Sequence, residues 1–330
     1  MGADYHGLDV GRILDAAKKA ALPGQPFDQS IVRRHAERFV GDLSKLRRIA
    51  VSGERRRERA RVYAILRSHS AKYCAVLLGA KPRSLQPAIA EAMAGAMNCR
   101  RLTDEAVKVF PRPKASGGTR PICDFGPLRR ARQALVLELL KALHGPSKFD
   151  FATKGRGRDA ACRSWRNDVK GGGRWYVISD VKNCFNSIRT DNLHLTLRLP
   201  RSVVRHCLTI HEAPISGPCA PSLETAARAG IPQGSLASPF VAALMIQMAL
   251  NDIATPLALS YADDILLRAA SEEDAEAISE ALGKALLSHP HGPLQLKSLA
   301  VARIGKPNDF LGMKIRRNAW WDAERFRAIP

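Results

Sequence analysis

Two short apolar runs in this chain carry acidic residues where buried strands accommodate them least. WYVISD ends on Asp180, and LALSYADDILL sets Asp263 and Asp264 at its middle. The β-branched, aromatic and aliphatic residues predict a strand for the first, and strand, tight turn, strand for the second. A carboxylate at the end of a buried strand is costly unless something pairs with it. Adjacent acids on a tight hairpin point in different directions and can flank one shared cation. Three converging carboxylates make a hard, oxygen-rich site suited to Mg²⁺. Two ions about 3.5–4 Å apart in such a site catalyse in-line phosphoryl or nucleotidyl transfer. Each piece alone also has an ordinary reading: Asp-Asp as a solvated turn, a strand-terminal Asp as a helix cap.

Charge bounds the partner. The 330 residues include 52 Lys and Arg against 31 Asp and Glu, a formal charge of +21. With 45% hydrophobic residues the chain can bury a core, which excludes wholesale disorder. The positive excess points to a polyanion, nucleic acid before an acidic membrane surface. Seven cysteines without a CxxC pair argue against a disulfide framework or zinc ribbon. The N-terminus lacks the apolar core of a signal peptide, and the longest apolar run, FVAALMI, is too short to span a bilayer. The expectation is a cytoplasmic protein without membrane insertion.

Along the chain, residues 1–105 read as helical, with apolar residues at three- and four-residue spacing from Ile31 onward. They carry a basic run, Arg55, Arg56, Arg57, Arg59 and Arg61, which Glu54 and Glu58 neutralise only in part. It is either a solvated helix face or a phosphate-contacting one, and the residual charge favours the latter. From Val107 short strands alternate with Gly/Pro turns, and a helix is predicted over about 128–143. Residues 190–229 read as irregular, SPFVAALMIQMALNDI and SEEDAEAISEALGKALLS as helices, and LQLKSLAVARI and DFLGMKIRR as strands.

The ordered motifs resemble those of reverse transcriptases over roughly residues 107–315, with weaker similarity back to about residue 31. PKASGGTRPI resembles the first fingers motif, with Lys114 and Arg120. LRRARQALVLELL resembles the helix that follows, Arg132 and Gln133 fitting its end. DFATKGRGRDAA resembles a basic loop, with Lys154 and Arg156. SDVKNCFNSI resembles the first palm motif, GIPQGSLASP the nucleotide-positioning loop around Gln233, and YADD the hairpin signature. LQLKS resembles the motif that supplies a lysine, Lys297, and FLGMKI the primer-grip strand.

The resemblance implies an α+β fold: right-hand fingers and palm, an antiparallel palm sheet packed on helices, behind a helical N-terminal extension. The implied divisions are residues 1–105 for the extension, 106–179 for the fingers and start of the palm, 180–315 for the palm with an insertion at 190–229, and 316–330 for a tail. A thumb is expected to be reduced or absent. It implies RNA-directed DNA polymerase activity with two Mg²⁺, Mn²⁺ as a substitute, held by Asp180, Asp263, Asp264 and the main-chain carbonyl of Val181. Lys114, Arg120, Phe185, Gln233 and Lys297 are the implied dNTP contacts, Phe185 as steric gate against a 2′-hydroxyl. Without the motif, Phe185 reads as a core aromatic and Lys297 as a surface strand lysine. Arg55, Arg56, Arg57, Arg59, Lys154 and Arg156 are the implied nucleic-acid contacts.

The extension resembles that of group II intron-like and bacterial "unknown group" enzymes. Retron hallmarks are missing and PQG is kept, so the chain looks like a small stand-alone enzyme of the antiviral-defence kind. The implied partners are a cognate structured non-coding RNA, the DNA product, and a second copy or an accessory effector protein. Two other readings stay open: a structural RNA-binding subunit of a defence complex, and a protein-primed or template-independent DNA polymerase.

Overall fold

The computed structural model describes residues 8–114, 117–152, 156–217, 219–304, 308–316, 319–322 and 327–328. The chain divides into two compact units interleaved in sequence. Unit one comprises residues 1–146 and 189–238; unit two comprises 147–188 and 239–330. The grouping runs differently from the motif-based divisions: residues 106–146 pack with the N-terminal helices, and the segment around 190–229 belongs with them too.

Unit one opens with α1 (Val10–Ala20), α2 (Gln29–Ser52), α3 (Arg55–Arg67), α4 (His69–Gly79) and α5 (Pro87–Ala96), followed by strands β1 (Val107–Pro113) and β2 (Thr119–Phe125) and helix α6 (Pro127–His144). Asp28 starts α2, its Oδ1 accepting the Ser30 amide at 2.7 Å and the Ile31 amide at 3.3 Å. These amides are orphan donors of the first turn, and the Ser30 hydroxyl, donating to the same oxygen at 2.7 Å, does most to hold the Asp28 carboxyl below the ordinary range, the amides adding to it. Helix α4 is buried nearly all round and packs on α1, α2, α5 and α6. It crosses α6 so closely that a Cβ on Gly79 would lie 2.7 Å from the Ala131 nitrogen.

The N-terminus of α6 is capped from a distance. Glu105 accepts the Leu128 and Arg129 amides at 3.0 and 2.7 Å, where the helix dipole favours a negative charge.

After passing through α7 (Gly157–Lys170), β3 (Trp175–Val181) and α8 (Cys184–Ser187), the chain returns to unit one. There it forms α9 (Leu193–Leu197), α10 (Arg201–Val203), a π-helical turn (Val204–Leu208), β4 (Ile215–Ser216) and α11 (Pro221–Arg228). This stretch is therefore mostly short helix, a correction to the irregular reading. Pro200, Pro214 and Pro221 sit at or near starts of elements, where a missing N–H does no harm, and Pro218 lies outside the described residues. β4 pairs in parallel with β1, completing a three-stranded sheet of order β2-β1-β4.

Unit two is built on a four-stranded sheet of order β5-β6-β3-β7, antiparallel throughout, from β3, β5 (Ala258–Tyr261), β6 (Asp264–Ala269) and β7 (Leu296–Arg303). Helix α12 (Ser238–Leu250) precedes β5, and α13 (Glu272–Leu287) packs on β3, β6 and β7. Trp165 of α7 stands edge-on to both Tyr176 and Phe310, at 5.9 and 5.7 Å, within an apolar cluster that also takes Leu259, Leu266 and Ala302 from the sheet. Both helix predictions, the hairpin, and the strands of LQLKSLAVARI and DFLGMKIRR are present. A second sheet contains β8 (Asn308–Phe310), β9 (Met313–Arg316), β10 (Ala319–Asp322) and β11 (Arg327–Ala328), so strands stand within the stretch expected to be a tail. All seven cysteines are free thiols. Among the described residues, no helix is long and apolar enough to cross a membrane.

Candidate active site

In unit two the two acidic runs lie side by side. β3 and β6 pair so that Asp180 stands directly opposite Asp264, and the Val181 amide donates to the Asp263 carbonyl at 3.1 Å. Like charges directly opposite one another destabilise a sheet, so this register calls for a counter-charge. Asp263 lies in the two-residue turn between β5 and β6. The turn begins with Ala262 at φ +55°, a left-handed conformation that costs an alanine about 1–2 kcal/mol. Strain held in a turn that presents an acid is the kind found at functional sites.

The counter-charge comes from β7. Asp180 pairs with Ser298 while Val181 pairs with Leu296, leaving Lys297 as the extra residue of a bulge. A bulge re-aims a side chain; here Lys297 Nζ reaches Asp180 Oδ2 at 2.9 Å. The Lys297 ammonium is held above its ordinary pKa by its hydrogen bond and charge attraction to Asp180, with Asp263 and Asp264 adding to it. All three carboxylates thus act on one cation. The Cys184 thiol beneath them is pushed up to about 12, first by burial and then by Asp263 and Asp180.

Phe185 follows on α8 and is half-buried. Arg156 is exposed, yet its guanidinium donates to the carbonyls of Ser147, Lys148 and Asp150 and lies 5.2 Å over the Phe151 ring. It clips the loop that runs beside β5. Lys154 lies outside the described residues.

The remaining predicted contacts belong to unit one. Lys114 sits at the tip of the β1–β2 hairpin, its amide donating to Gly118 O at 3.0 Å. Arg120 is exposed on β2, directly opposite Arg112. Arg112 was not singled out from sequence; an Arg–Arg cross-strand pair is unfavourable without an anion, and only the register reveals it.

Gln233 and its loop are fixed by backbone contacts. The Cys123 amide donates to the Gln233 carbonyl at 2.8 Å, and Gln133, buried on α6, accepts the Leu236 amide at 3.2 Å. Gly234 has φ +104°, and a Cβ there would lie 2.2 Å from the Cys123 carbonyl oxygen.

The basic run occupies the first turns of α3. Positive charge there opposes the helix dipole, and two acids relieve part of it. Arg57 pairs with Glu54 at 2.6 Å, and Arg55 with Glu58 at 3.2 Å. Glu58 is buried and also holds Arg198 at 2.8 Å, so it belongs to the core rather than to the solvent. Arg59 lies 5.9 Å over the Tyr63 ring, and Arg56 is exposed. Lys45, Arg48, Arg57 and Arg61 line a groove between α2 and α3 of about 640 Å³, with Ile49 and Ala60 in its wall.

Residues 112–314 match the family described as reverse transcriptase (RNA-dependent DNA polymerase). An uncharacterised 91 kDa protein in the cob intron of Schizosaccharomyces pombe is 32% identical over 133 residues, 39% of this chain and 16% of that protein. A structure of Candida albicans telomerase with a fragment of telomeric RNA aligns with TM-score 0.42 and 15% identity, over 66% of this chain and 45% of that one. This chain thus spans less than half the length of either relative.

Proposed function

This chain belongs to the reverse transcriptase family, and from that premise we propose that it copies RNA into DNA from dNTPs by nucleotidyl transfer at Asp180, Asp263 and Asp264. The observation that carries the reading is the β3–β6 register that sets Asp180 directly opposite Asp264 beside the Asp263 turn, with Lys297 2.9 Å from Asp180. The donor set, carboxylate oxygens with the Val181 carbonyl, suits Mg²⁺ and also Mn²⁺. Among the described residues no three acidic, cysteine or histidine side chains close on a metal by themselves. Mg²⁺ takes one or two carboxylates and completes its shell with water and substrate phosphates. Two such ions, when bound, activate a 3′-hydroxyl and stabilise charge on the leaving pyrophosphate.

The chain's own residues supply the rest. Lys297 neutralises Asp180 and keeps a half-buried acid from facing Asp264 unscreened. Lys114, Arg120 and the newly found Arg112 supply charge-assisted donors for a triphosphate. Gln233 is presented by a loop whose backbone is pinned at Cys123 and Gln133, so its position is set before substrate arrives. Phe185 closes the space a 2′-hydroxyl would need. Protein incubated with an RNA template, primer, Mg²⁺ and labelled dNTPs should give a DNase-sensitive product. Phe185→Ala should raise rNTP use relative to dNTP by roughly tenfold or more; equal use of both by the wild type would remove the gate.

The α3 face and its groove are the proposed RNA contact. Arg56 and Arg59 enter no ion pair among the described residues, and an Arg-rich helix start is stabilised by phosphate. Replacing both with Gln should weaken RNA binding and lower the magnitude of the salt slope by roughly one to two. Salt-independent binding would sink the electrostatic reading. The motif resemblance to stand-alone defence enzymes further supports a cytoplasmic role in antiphage defence with a structured non-coding RNA. Phage plating with Asp180→Ala tests it: full protection would favour a purely structural, RNA-binding role.

A further inference from the structure

We propose that the returning segment of unit one forms a second ligand site, a pocket for a phosphorylated ribose unit, which goes beyond the polymerase reading. Its cavity holds about 240 Å³ and is lined by Thr190, Asp191, His194, Arg201, Arg205 and His211, among others. None of these residues is used by the carboxylate chemistry.

Four observations point to a ligand. The His194 Nδ1 is buried and has no hydrogen-bond partner among the described residues. Buried polar atoms in folded proteins are nearly always satisfied, so a small turn of the half-buried His194 ring toward an occupant would satisfy this nitrogen. Arg201 is exposed, and its side chain makes no hydrogen bond or ion pair among the described residues. His211 Nε2 is set at 3.1 Å from Thr190 Oγ1, which orients one imidazole on the wall. Arg205 is the second guanidinium, anchored outside the cavity by Glu212. It stands on the π-helical turn (Val204–Leu208), a rare local geometry frequent at functional sites.

The chemistry selects the ligand class. Two guanidinium forks, imidazole nitrogens and a threonine hydroxyl are the donors that recognise phosphate oxygens. Metal binding is disfavoured, because no three His, Cys, Asp or Glu side chains converge among the described residues. Asp191, an acceptor on the same wall, suits a sugar hydroxyl beside the phosphate. At about 240 Å³ the cavity falls below the usual size of a small-molecule site, roughly 300–1,000 Å³, so a phosphate with its sugar fits better than a whole triphosphate. The unit can come from a free nucleotide or from one residue of an RNA strand.

Equilibrium dialysis of the full chain in EDTA, against AMP and against a tetraribonucleotide, tests this; EDTA suppresses metal-dependent nucleotide binding. At least one probe should bind saturably and shift the imidazole ¹⁵N signals of His194 and His211. Arg201→Ala should weaken that binding by roughly tenfold or more, with Arg201→Lys in between, while melting and DNA synthesis stay near wild type. His194→Gln is the second variant should Arg201→Ala fail to fold. Displacement of the tetranucleotide by AMP identifies a free nucleotide; a bound tetranucleotide that AMP cannot displace identifies an RNA residue. The proposal is overturned if neither probe binds, if Arg201→Ala binds both as tightly as the wild type, or if the imidazole signals do not move.

Discussion

Asp180→Ala and Asp263→Ala each reduce primer extension by at least roughly a thousandfold, with the fold intact. The magnitude follows from removing a preorganised charge from the place where charge develops during transfer. The intact fold follows from the surroundings. Asp180 is 22% exposed and its partner Lys297 51%, so without the carboxylate Lys297 turns to solvent. Loss of one partly exposed ion pair changes stability by about 1 kcal/mol or less. Relief of the Asp180–Asp264 repulsion offsets part of that. Primer extension and thermal melting on the same preparations check both halves. Residual synthesis within tenfold of wild type in Asp263→Ala would remove the carboxylates from the mechanism.

Gly234→Ala acts through the backbone rather than through charge. A methyl group at this position would meet the Cys123 carbonyl oxygen at 2.2 Å, on a residue whose φ of +104° already excludes an ordinary side chain. The loop must then leave β2, breaking the bond from Cys123 to Gln233 that pins it. The expected cost is about 2–4 kcal/mol, the sum of a strained φ and a lost buried hydrogen bond. Gln233 loses its fixed position, so the KM for dNTP rises more than kcat falls. Gly283, mid-helix in α13 with open space around its Cα, is the control: its change to alanine should stabilise by up to about 1 kcal/mol. Urea melts and dNTP titrations read both variants. A Gly234→Ala protein with unchanged melting would show that the loop is not held by this contact.

Much of unit two was legible because its signals are local. An apolar run ending in Asp, a YADD turn and an acidic helix start each declare an element within a dozen residues. What stayed hidden depends on pairing across long separations. The bulge that brings Lys297 to Asp180 is a one-residue offset between β3 and β7, and nothing in LQLKS alone announces it. Arg112 became visible only through its register with Arg120. Glu58 looked like a surface counter-charge, and its burial against Arg198 depends on a helix 140 residues away. The helices of residues 190–229 were obscured by prolines, which punctuate short helices as readily as loops.

The interleaving of the two units has a consequence for biosynthesis. Strand β3 is made before residue 182, yet its neighbours β6 and β7 begin at Asp264 and Leu296. A nascent chain must therefore carry an apolar strand with both edges unpaired until 83 further residues have emerged, and with one edge unpaired until 115 have. Strand β1 likewise waits for Ile215 to supply its parallel neighbour. Neither unit can close in order of synthesis, which makes folding slow and exposes sticky edges meanwhile. A ribosome-associated holdase, or early capture of the basic α3 face by RNA, would shorten that exposure.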